Sequence, residues 1–547
     1  MNQIVHIFRK DCRRLWQIIA AVLVFTFLHA YGDATIPSSS GMAIGPSPYT
    51  IVFVLVSLSG LILPVLFFLL VVSVIQEESL VGSDKFWLTR PYDRVSLFLE
   101  KLLFVVLWAF LPMLLHDVFL IRHFGFSLSS AFGLLLWKNA RFVFFLLLAA
   151  TLAVLSATFA RAVLLTVVAI IIAQFTFYIV MQNLGYSPVG SWTATFEILA
   201  VLAVAAVGAL CVIAFQYRFR ITSVAAVIGV TAIVACALLA RFWPPSLTAY
   251  LLRKNESPLS RSVQILPEPD LKDIARPTEV PDPATQARTA YYPFRASGLS
   301  DDVGVNLVGL TAHFDSPGRM SASLYLAATV RFQPRVGSSG QFADVGGPDQ
   351  LVSFALPNPG DYEHLKDTDG TLSGNLLLQG FRSAVARVPV PLPGLRQDFA
   401  VGNRRCKVGS SLRGPTLVLT FDCVELGPGN TSQFKVRLLQ DNREIVLSGG
   451  SGQHSSPGGW PSFLSPIVAT YSTSEFELPG VGLVGELPAG LEMIVFAEQG
   501  LGPMVRDFHI DHFHPAELTL QALEQRGVLK AEPTGPESTA GTLPKTR

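Results

Sequence analysis

Residues Val224–Leu239 read VAAVIGVTAIVACALL and form the last of seven apolar segments in this chain. Six segments would return the chain to the side of a membrane on which it began. A seventh carries it across once more. The parity of the segments therefore predicts that everything after Leu239 lies on the side opposite the N-terminus.

The composition agrees with a chain that crosses a membrane several times. Of its 547 residues, 50% are hydrophobic and 15% are charged, whereas soluble domains carry about 25% charged residues. A helix needs about 20 apolar residues to span a bilayer, and it satisfies its own backbone hydrogen bonds. The apolar segments are Leu15–Ala30, Tyr49–Ile75, Leu102–Ile121, Phe142–Phe159, Val163–Met181, Ile198–Phe215 and Val224–Leu239.

The distribution of Lys and Arg predicts the orientation, because cytoplasmic loops carry the excess of these residues. With the N-terminus inside, eleven fall on the cytoplasmic side: Arg9, Lys10, Arg13, Arg14, Lys85, Arg90, Arg94, Lys101, Arg161, Arg218 and Arg220. Four fall outside: Arg122, Lys138, Arg141 and Arg241. We expect a multi-pass protein of a bacterial inner membrane, with a cytoplasmic N-terminus and an extracytoplasmic C-terminal part.

The N-terminus has the pattern of an amphipathic helix that lies on the membrane surface. Its apolar residues share one face at helical spacing, and Lys and Arg occupy the other face. The face consists of Ile4, Ile7, Phe8, Cys12 and Leu15. A cleaved signal peptide is the alternative, because a basic start precedes a short apolar run.

Beyond the apolar segments the pattern changes twice. Dense prolines in residues 241–297 predict an extended connector without central strands, with a short helix at Ser246–Arg253. Residues 298–527 contain short alternating runs such as Leu417–Phe421, separated by turn residues, which favour an all-β, sandwich-like domain or two small ones. Residues 528–547 lack core-forming side chains and are predicted to be a disordered tail.

The strand pattern can be stated as eight segments. They are Val303–His313, Ala322–Phe332, Leu351–Leu356, Gly374–Val388, Thr416–Leu426, Gln433–Leu439, Ile467–Glu477 and Met493–Ala497. The predicted fold class is therefore an α-helical membrane domain of about seven transmembrane helices over residues 1–240, followed by an extracytoplasmic β domain.

Two of the five cysteines, Cys406 and Cys423, lie in the predicted β domain. In an oxidising compartment they are candidates for a disulfide bond, which would contribute about 3 kcal/mol by restricting the unfolded chain. Two buried free thiols in neighbouring strands are the alternative.

The loop between the second and third segments, residues 77–101, mixes both charge signs with bulky apolar residues. Ser79–Leu88 can form a short helix, Pro91 would end it, and Asp93 can cap the next helix. Short amphipathic elements of this kind dock into grooves on partner proteins. An ordinary charged connector is the alternative.

This loop resembles the first intracellular loop in the membrane subunits of ABC exporters of the second type. The resemblance implies a coupling helix that contacts a separate ATPase, an N-terminal amphipathic helix and six spans per subunit, a layout that residues 1–220 match in order. It assigns ATPase coupling to Glu77, Glu78, Gly82, Leu88, Arg90, Pro91, Arg94 and Lys101. The seventh span and the large C-terminal part depart from the family pattern.

The chain has no motif for hydrolysing ATP itself. A phosphate-binding loop requires Gly-Lys before Ser or Thr, and this dipeptide is absent from the sequence. We therefore expect no cofactor in this chain, ATP on a cytoplasmic ATPase partner, and a second permease copy, most simply as a homodimer in the lipid bilayer. The net charge of +1 favours no nucleic-acid partner.

Two alternatives belong to other classes. The chain can be a membrane-anchored sensor or scaffold whose β domain binds glycan or protein without transport. It can also be a metal-dependent envelope hydrolase that uses His509, Asp511, His512 and His514. Alternation along a strand would place His509 and Asp511 on one face and the other two on the opposite face. We expect no metal site there and no catalytic pair.

His116 and Asp117 are ionisable residues within the third apolar segment. Such groups are costly in a membrane and often functional. Because they lie close to the outer end of the segment, we expect a pair at the water boundary, with a contact to a partner helix or a transport pathway as the alternative.

Overall fold

The computed structural model describes most of the chain, in two compact units. The first unit comprises Met1–Tyr186, Ala194–Pro244 and Ala384–Ala497, and the second comprises Ser187–Thr193, Pro245–Ser383 and Glu498–Arg547. The described residues are 2–35, 48–77, 94–156, 158–166, 190–219, 221–256, 258–272, 274, 283–286, 288–316, 322–326, 330–333, 347–356, 359–413, 416–426, 434–440, 443–445, 448–455, 468–478 and 491–529.

Helices dominate the first half of the chain, and strands dominate the second half. The helices are α1 (Asn2–Arg14), α2 (Trp16–Thr35), α3 (Pro48–Gln76), α4 (Arg94–Val105), α5 (Leu111–His123), α6 (Leu128–Leu155), α7 (Gly190–Phe219), α8 (Thr222–Arg241), α9 (Pro245–Lys254), α10 (Pro258–Ser262), α11 (Pro283–Gln286), α12 (Pro359–Leu365) and α13 (Leu520–Gln525). A π-helical turn, Val106–Phe110, joins α4 to α5, and a 3₁₀ turn, Pro515–Leu518, precedes α13.

The strands form antiparallel ladders in the pairings that the structure describes between them. They are β1 (Gln264–Pro267), β2 (Thr289–Ser297), β3 (Val303–Asp315), β4 (Ala322–Leu326), β5 (Val330–Phe332), β6 (Asp349–Ala355), β7 (Gly370–Pro389), β8 (Arg396–Val401), β9 (Arg404–Arg413), β10 (Thr416–Leu426), β11 (Phe434–Gln440), β12 (Arg443–Ile445), β13 (Ser448–Ser455), β14 (Val468–Leu478) and β15 (Leu491–Phe513).

Six helices among the described residues are long and apolar enough to cross a membrane, judged by length and composition. Their spans are Trp16–Ala34, Leu58–Gln76, Val95–His123, Leu128–Leu155, Leu199–Phe219 and Thr222–Leu239. Six of the seven predicted segments therefore fall on such helices. Most of the remaining one, Val163–Met181, lies outside the described residues, so the count of seven stays a prediction.

The amphipathic pattern at the N-terminus forms α1, as expected. Ile7 and Leu15 are buried, and Ile4, Phe8 and Cys12 are partly buried on the same side. Arg13 and Arg14 occupy the last turn, where cations interact favourably with the helix dipole. The chain bends at Leu15 before α2 begins, so α1 is a separate element.

Pro112 explains the irregularity between α4 and α5. Proline has no backbone N–H, and in a regular helix its ring clashes with the carbonyl four residues earlier. The π-turn Val106–Phe110 lies just before this proline, and widened turns of this kind relieve such a clash. The helical path therefore continues from Arg94 to His123 and forms a single long span.

Helix α6 begins earlier than the apolar segment Phe142–Phe159 predicted. Ser127 caps it, because its hydroxyl accepts a hydrogen bond from the Ser130 amide at 3.1 Å. Lys138 therefore lies within helix α6, which corrects its assignment to a loop. Its ammonium group is buried against a carboxylate of α5.

Part of the β-rich region belongs to the first unit. A five-stranded sheet has the order β13-β14-β10-β9-β8, and β12-β11-β15 form a second ladder. Val408, Leu419 and Phe421 of the first sheet share a core with Leu438 and Met493 of the second ladder. Two sheets that share an apolar core are the arrangement found in β-sandwiches.

The second unit contains the strand order β1-β2-β6-β4-β3-β7, with β5 also paired to β3. Its core includes Tyr291, Phe294 and Phe354 of the sheet, together with Leu365 of α12 and Leu523 of α13. Strands β7 and β15 contribute residues to both units, because the unit boundaries fall within them.

The structure differs from the predicted connector over residues 241–297. Helix α9 agrees with the short helix expected at Ser246–Arg253, but Thr289–Ser297 is an interior strand that pairs with both β1 and β6. The strand accommodates Pro293 because the β1 ladder ends at Phe294. A missing amide is tolerated where a ladder stops.

Several strand boundaries follow the sequence closely. Thr416–Leu426 coincides with β10, and the other predicted strands overlap β3 to β7, β11, β14 and β15. The predicted tail begins two residues too early, because Val528 and Leu529 are buried in the core of the second unit. The rest of that tail lies outside the described residues.

Candidate functional site

Two of the eight residues assigned to ATPase coupling are described with their side chains, and they are the first and the last of that set. Glu77 follows α3, and Lys101 lies in the second turn of α4. Helix α4 begins at Arg94, directly after the predicted capping residue Asp93, although nothing is described of the Arg94 side chain. Glu78, Gly82, Leu88, Arg90 and Pro91 lie outside the described residues.

Glu77 is held by cations of α1. The Arg14 guanidinium donates to its carboxylate, and the Lys10 ammonium lies 3.8 Å from the same oxygen. The Glu77 side chain is largely buried, whereas Arg14 is mostly exposed. The end of α3 is therefore fixed to the last two turns of α1 through charge.

Lys101 makes a deeper contact with the same helix. Its ammonium group donates to the Asp11 carboxylate, and it lies 3.2 Å from the carboxylate of Glu100. Asp11 and Glu100 are fully buried, and Lys101 is 4% exposed. Two buried anions thus flank one buried cation, with Lys10 3.5 Å from Asp11 at the rim. Loss of one partner from such a group is costly, because it leaves a buried charge uncompensated.

Cys12 lies beside this charge network. Burial raises the pKa of the Cys12 thiol, and the nearby carboxylates of Asp11 and Glu100 raise it further. A thiol that stays protonated is a poor nucleophile and a poor metal ligand.

A second polar cluster lies within the membrane helices. His29 and Asp33 come from α2, Ser59 from α3 and His116 from α5, and all four are buried. The imidazole rings of His29 and His116 stack with centroids 5.4 Å apart. His29 Nδ1 bonds to Ser59 Oγ at 3.1 Å, and Asp33 lies between the Nε2 atoms of the two histidines.

The cluster continues through Asp117 to α6. The Asp117 carboxylate accepts from Lys138 Nζ, from His116 Nδ1 at 3.0 Å and from Asn139 Nδ2 at 3.5 Å. Asp117 is 1% exposed and His116 is 3% exposed. The pair therefore contacts α2 and α6 rather than solvent, in line with the alternative of a helix contact, whereas its depth in a membrane stays a prediction. The physical reason is that Lys138 supplies the charge that a solvent shell would otherwise supply.

The turn after α5 contacts the β-rich part of the first unit. Ile121 and Phe126 share a small core with Val424 and Leu426 of β10. The Arg405 guanidinium of β9 lies 5.8 Å from the centre of the Phe126 ring, within range of a cation–π interaction. The same helical path thus contacts α1 near Lys101 and the sheet near Ile121.

The remaining candidates lie in the strands. Cys406 and Cys423 are directly opposite each other in the β9–β10 ladder and form a disulfide. His509 bonds to Asp511 at 3.0 Å, whereas His512 bonds to Asp369 at 3.1 Å. The structure therefore directs His509 and His512 to different carboxylates.

Sequence reasoning missed most of the buried polar cluster. His29 and Asp33 are spaced four residues apart, which places them on one helical face, and Lys138 with Asn139 interrupts an otherwise apolar helix. These polar positions in apolar segments could have indicated the cluster. Their grouping could not be read from the chain, because it depends on how α2, α5 and α6 pack.

Comparisons with protein-family models, with curated proteins and with solved structures found no match to this chain.

Proposed function

We propose that the chain is the permease subunit of an ATP-driven ABC transporter. A separate cytoplasmic ATPase engages loop 77–101, and its cycle moves a substrate across the membrane, most simply outward. The chain works with a second permease copy as a homodimer in a bacterial inner membrane. It supplies no cofactor of its own, and ATP is bound by the partner.

The observation that carries this proposal is the attachment of α1 to both ends of the loop. Glu77 at the end of α3 and Lys101 near the start of α4 each form an ion pair with α1. A push on the loop would therefore be transmitted to two membrane helices and to a surface helix together. The Lys101–Asp11 pair is well suited to this role, because breaking a buried ion pair costs about 3–5 kcal/mol.

The geometry along α4 and α5 supports the proposed orientation. Lys101 contacts α1, and Ile121 contacts the β-rich part of the first unit. The intervening helical path rises about 1.5 Å per residue and so covers about 30 Å, the thickness of the hydrocarbon core. A cytoplasmic N-terminus with an extracytoplasmic β domain satisfies this spacing.

The proposal is tested with the full-length protein and the ATPase that purifies with it. Replacing Arg90 and Arg94 by alanine should remove ATPase co-purification and stimulated ATP hydrolysis, while membrane insertion stays intact. Arg122→Ala, at the other end of the same helical path, is the matched control and should change neither.

The opposite result would favour the alternative of a membrane-anchored sensor or scaffold. If no ATPase accompanies the wild-type protein, or if the loop variant retains full coupling, loop 77–101 is an ordinary connector. A ligand for the β-rich region that binds without nucleotide would point the same way.

A further inference from the structure

Three side chains of the buried cluster bring metal-ligating atoms together. One ligand atom each from His29, Asp33 and His116 lies within 4.8 Å of the other two. Among the described residues, these three form the group of His, Cys, Asp or Glu side chains that is close enough to hold a metal ion. Asp33 Oδ2 is 3.3 Å from His116 Nε2 and 3.6 Å from His29 Nε2. Ligands of a tetrahedral zinc ion, with bonds of about 2.0–2.1 Å, stand about 3.3 Å apart.

The other nitrogen of each ring is already engaged by a polar side chain. His116 Nδ1 faces Asp117 Oδ1 at 3.0 Å, and His29 Nδ1 faces Ser59 Oγ at 3.1 Å. When Nδ1 donates its proton to these oxygens, Nε2 carries the lone pair that can bind a metal. A carboxylate or hydroxyl behind a ligating histidine is the usual outer support of a metal site.

His116 Nε2 is the decisive atom. It is enclosed, and within the described part of the chain it makes no hydrogen bond although Asp33 Oδ2 is 3.3 Å away. A proton on Nε2 would pair with this carboxylate, whereas a lone pair on Nε2 that faces it is electrostatically unfavourable in a low-dielectric interior. A metal cation between the two atoms can take the place of that proton.

We propose that His29, Asp33 and His116 bind one divalent transition-metal ion of the zinc class. Two imidazoles and one carboxylate suit zinc or its first-row neighbours, whereas calcium and magnesium prefer oxygen ligands throughout. Three protein ligands leave a fourth position for water. The ion would clip α2 to α5 close to the turn that contacts β10, and the site stands independently of ATPase coupling.

Support for the ligands continues beyond the two histidines. Lys138 and Asn139 of α6 hold Asp117, which in turn holds His116. Ser59 from α3 holds His29. Four helices thus position the three ligating atoms, which is the arrangement expected of a preorganised site.

The test uses the full-length protein in detergent, stripped with a chelator and titrated with Zn²⁺ alone. Wild-type protein should retain one zinc per chain after dialysis and show a higher Tm with zinc. His116→Gln and His29→Gln should lose this binding and the Tm shift. Ser59→Ala, which removes only the support behind His29, should weaken binding about 10–100-fold.

His123→Gln is the matched control, because His123 lies on the same helix α5 and is exposed outside the cluster. It should bind zinc as the wild type does. Retained binding in His116→Gln, or loss of binding in His123→Gln to the same degree, would overturn the assignment.

A second measurement uses only the wild-type protein, so it does not require that the variants fold. Cobalt(II) added to the stripped wild-type protein should give the visible absorption of a four-coordinate ion with nitrogen and oxygen ligands. Zinc should displace it at one equivalent. Absence of both zinc retention and this absorption in the wild type would refute the metal site and leave the cluster as a hydrogen-bonded helix contact.

Discussion

Lys138 and Asp117 show how charged residues are tolerated inside apolar helices that are long enough to cross a membrane. Each would be expensive alone in a bilayer, but the ammonium and the carboxylate lie in direct contact, and both side chains are buried. The pair therefore belongs to the helix interface rather than to a loop, and its two partners stabilise each other only while both are present.

We predict that Lys138→Met and Asp117→Asn each lower the free energy of unfolding by about 3–5 kcal/mol, because each leaves an uncompensated buried group. The double variant should recover much of the loss, and chemical denaturation in detergent measures the cycle. Lys366→Ala is the control, because its pair with Glu363 is exposed and such pairs contribute about 0–1 kcal/mol. Additive losses in the double variant would contradict direct coupling.

Tyr291 carries a prediction about pH. It is 1% exposed, its hydroxyl makes no hydrogen bond within the described residues, and burial raises the pKa of its phenol. A raised pKa in the folded state means that this group's contribution to stability is complete below pH 10 and falls as the pH rises further.

Tyr291→Phe should therefore raise the free energy of unfolding by about 1 kcal/mol at neutral pH, because it removes an unsatisfied buried hydroxyl. The increase in the free energy of unfolding should become larger above pH 10. Urea denaturation at several pH values measures this dependence. Tyr250→Phe, at an exposed position, should change neither value. A loss of stability at neutral pH would indicate a hydrogen bond from the Tyr291 hydroxyl.

The burial of some residues could be predicted from the sequence, and that of others could not. The apolar face of α1 could be assigned, because helical spacing places Ile7 and Leu15 together. Asp11 lies on the same buried face and was not anticipated, since its partner Lys101 is distant in the chain. The burial of His116 could not be predicted for the same reason: its neighbours Asp33 and Lys138 come from other helices.

At the scale of elements, α1 depends on the charges that hold it. Lys101→Met should loosen this helix, because Asp11 and Glu100 would remain buried beside one another without the cation between them. Hydrogen exchange followed by mass spectrometry should show faster exchange over residues 2–14, while exchange in the β-rich region stays unchanged. Arg9→Met, on the exposed face of α1, is the control; equal acceleration there would indicate general fraying.

Strands could be predicted where alternation is undisturbed. The apolar run Leu417–Phe421 indicated β10, and Leu417, Leu419 and Phe421 are fully buried, with Val418 also only 1% exposed. β2 was missed because its proline argued against an interior strand, and no local pattern reveals that the β1 ladder stops beside Pro293. Strand order was also beyond prediction, since it depends on pairing between distant segments.

At the scale of the whole molecule, the proposed orientation can be tested by labelling. With Cys12, Cys211 and Cys236 replaced by serine, a cysteine introduced at Lys407 should react with a membrane-impermeant maleimide in spheroplasts. A cysteine at Arg14 should react only after the membrane is opened. Lys407 and Arg14 are both exposed, so accessibility within the protein does not decide the result. Equal labelling of both positions in spheroplasts would contradict the topology.

The boundaries of the β-rich region give a further prediction. A fragment of residues 298–527 lacks β1 and β2, and with them the buried Tyr291 and Phe294. Loss of one large core side chain costs about 3–5 kcal/mol, so this fragment should not fold. A fragment of residues 245–529 retains these strands and should show a cooperative thermal transition by circular dichroism. Cooperative unfolding of the shorter fragment would contradict this.

The two long strands that serve both units have a consequence for biosynthesis. Most of the second unit lies in Pro245–Ser383, yet it also needs the part of β15 after Ala497, and the whole segment Ala384–Ala497 is translated in between. Nearly the entire chain must therefore be synthesised before this unit can fold completely. Until then strands β1 to β7 have unpaired edges. A nascent chain stalled before residue 498 would therefore be an early target for chaperones and proteases.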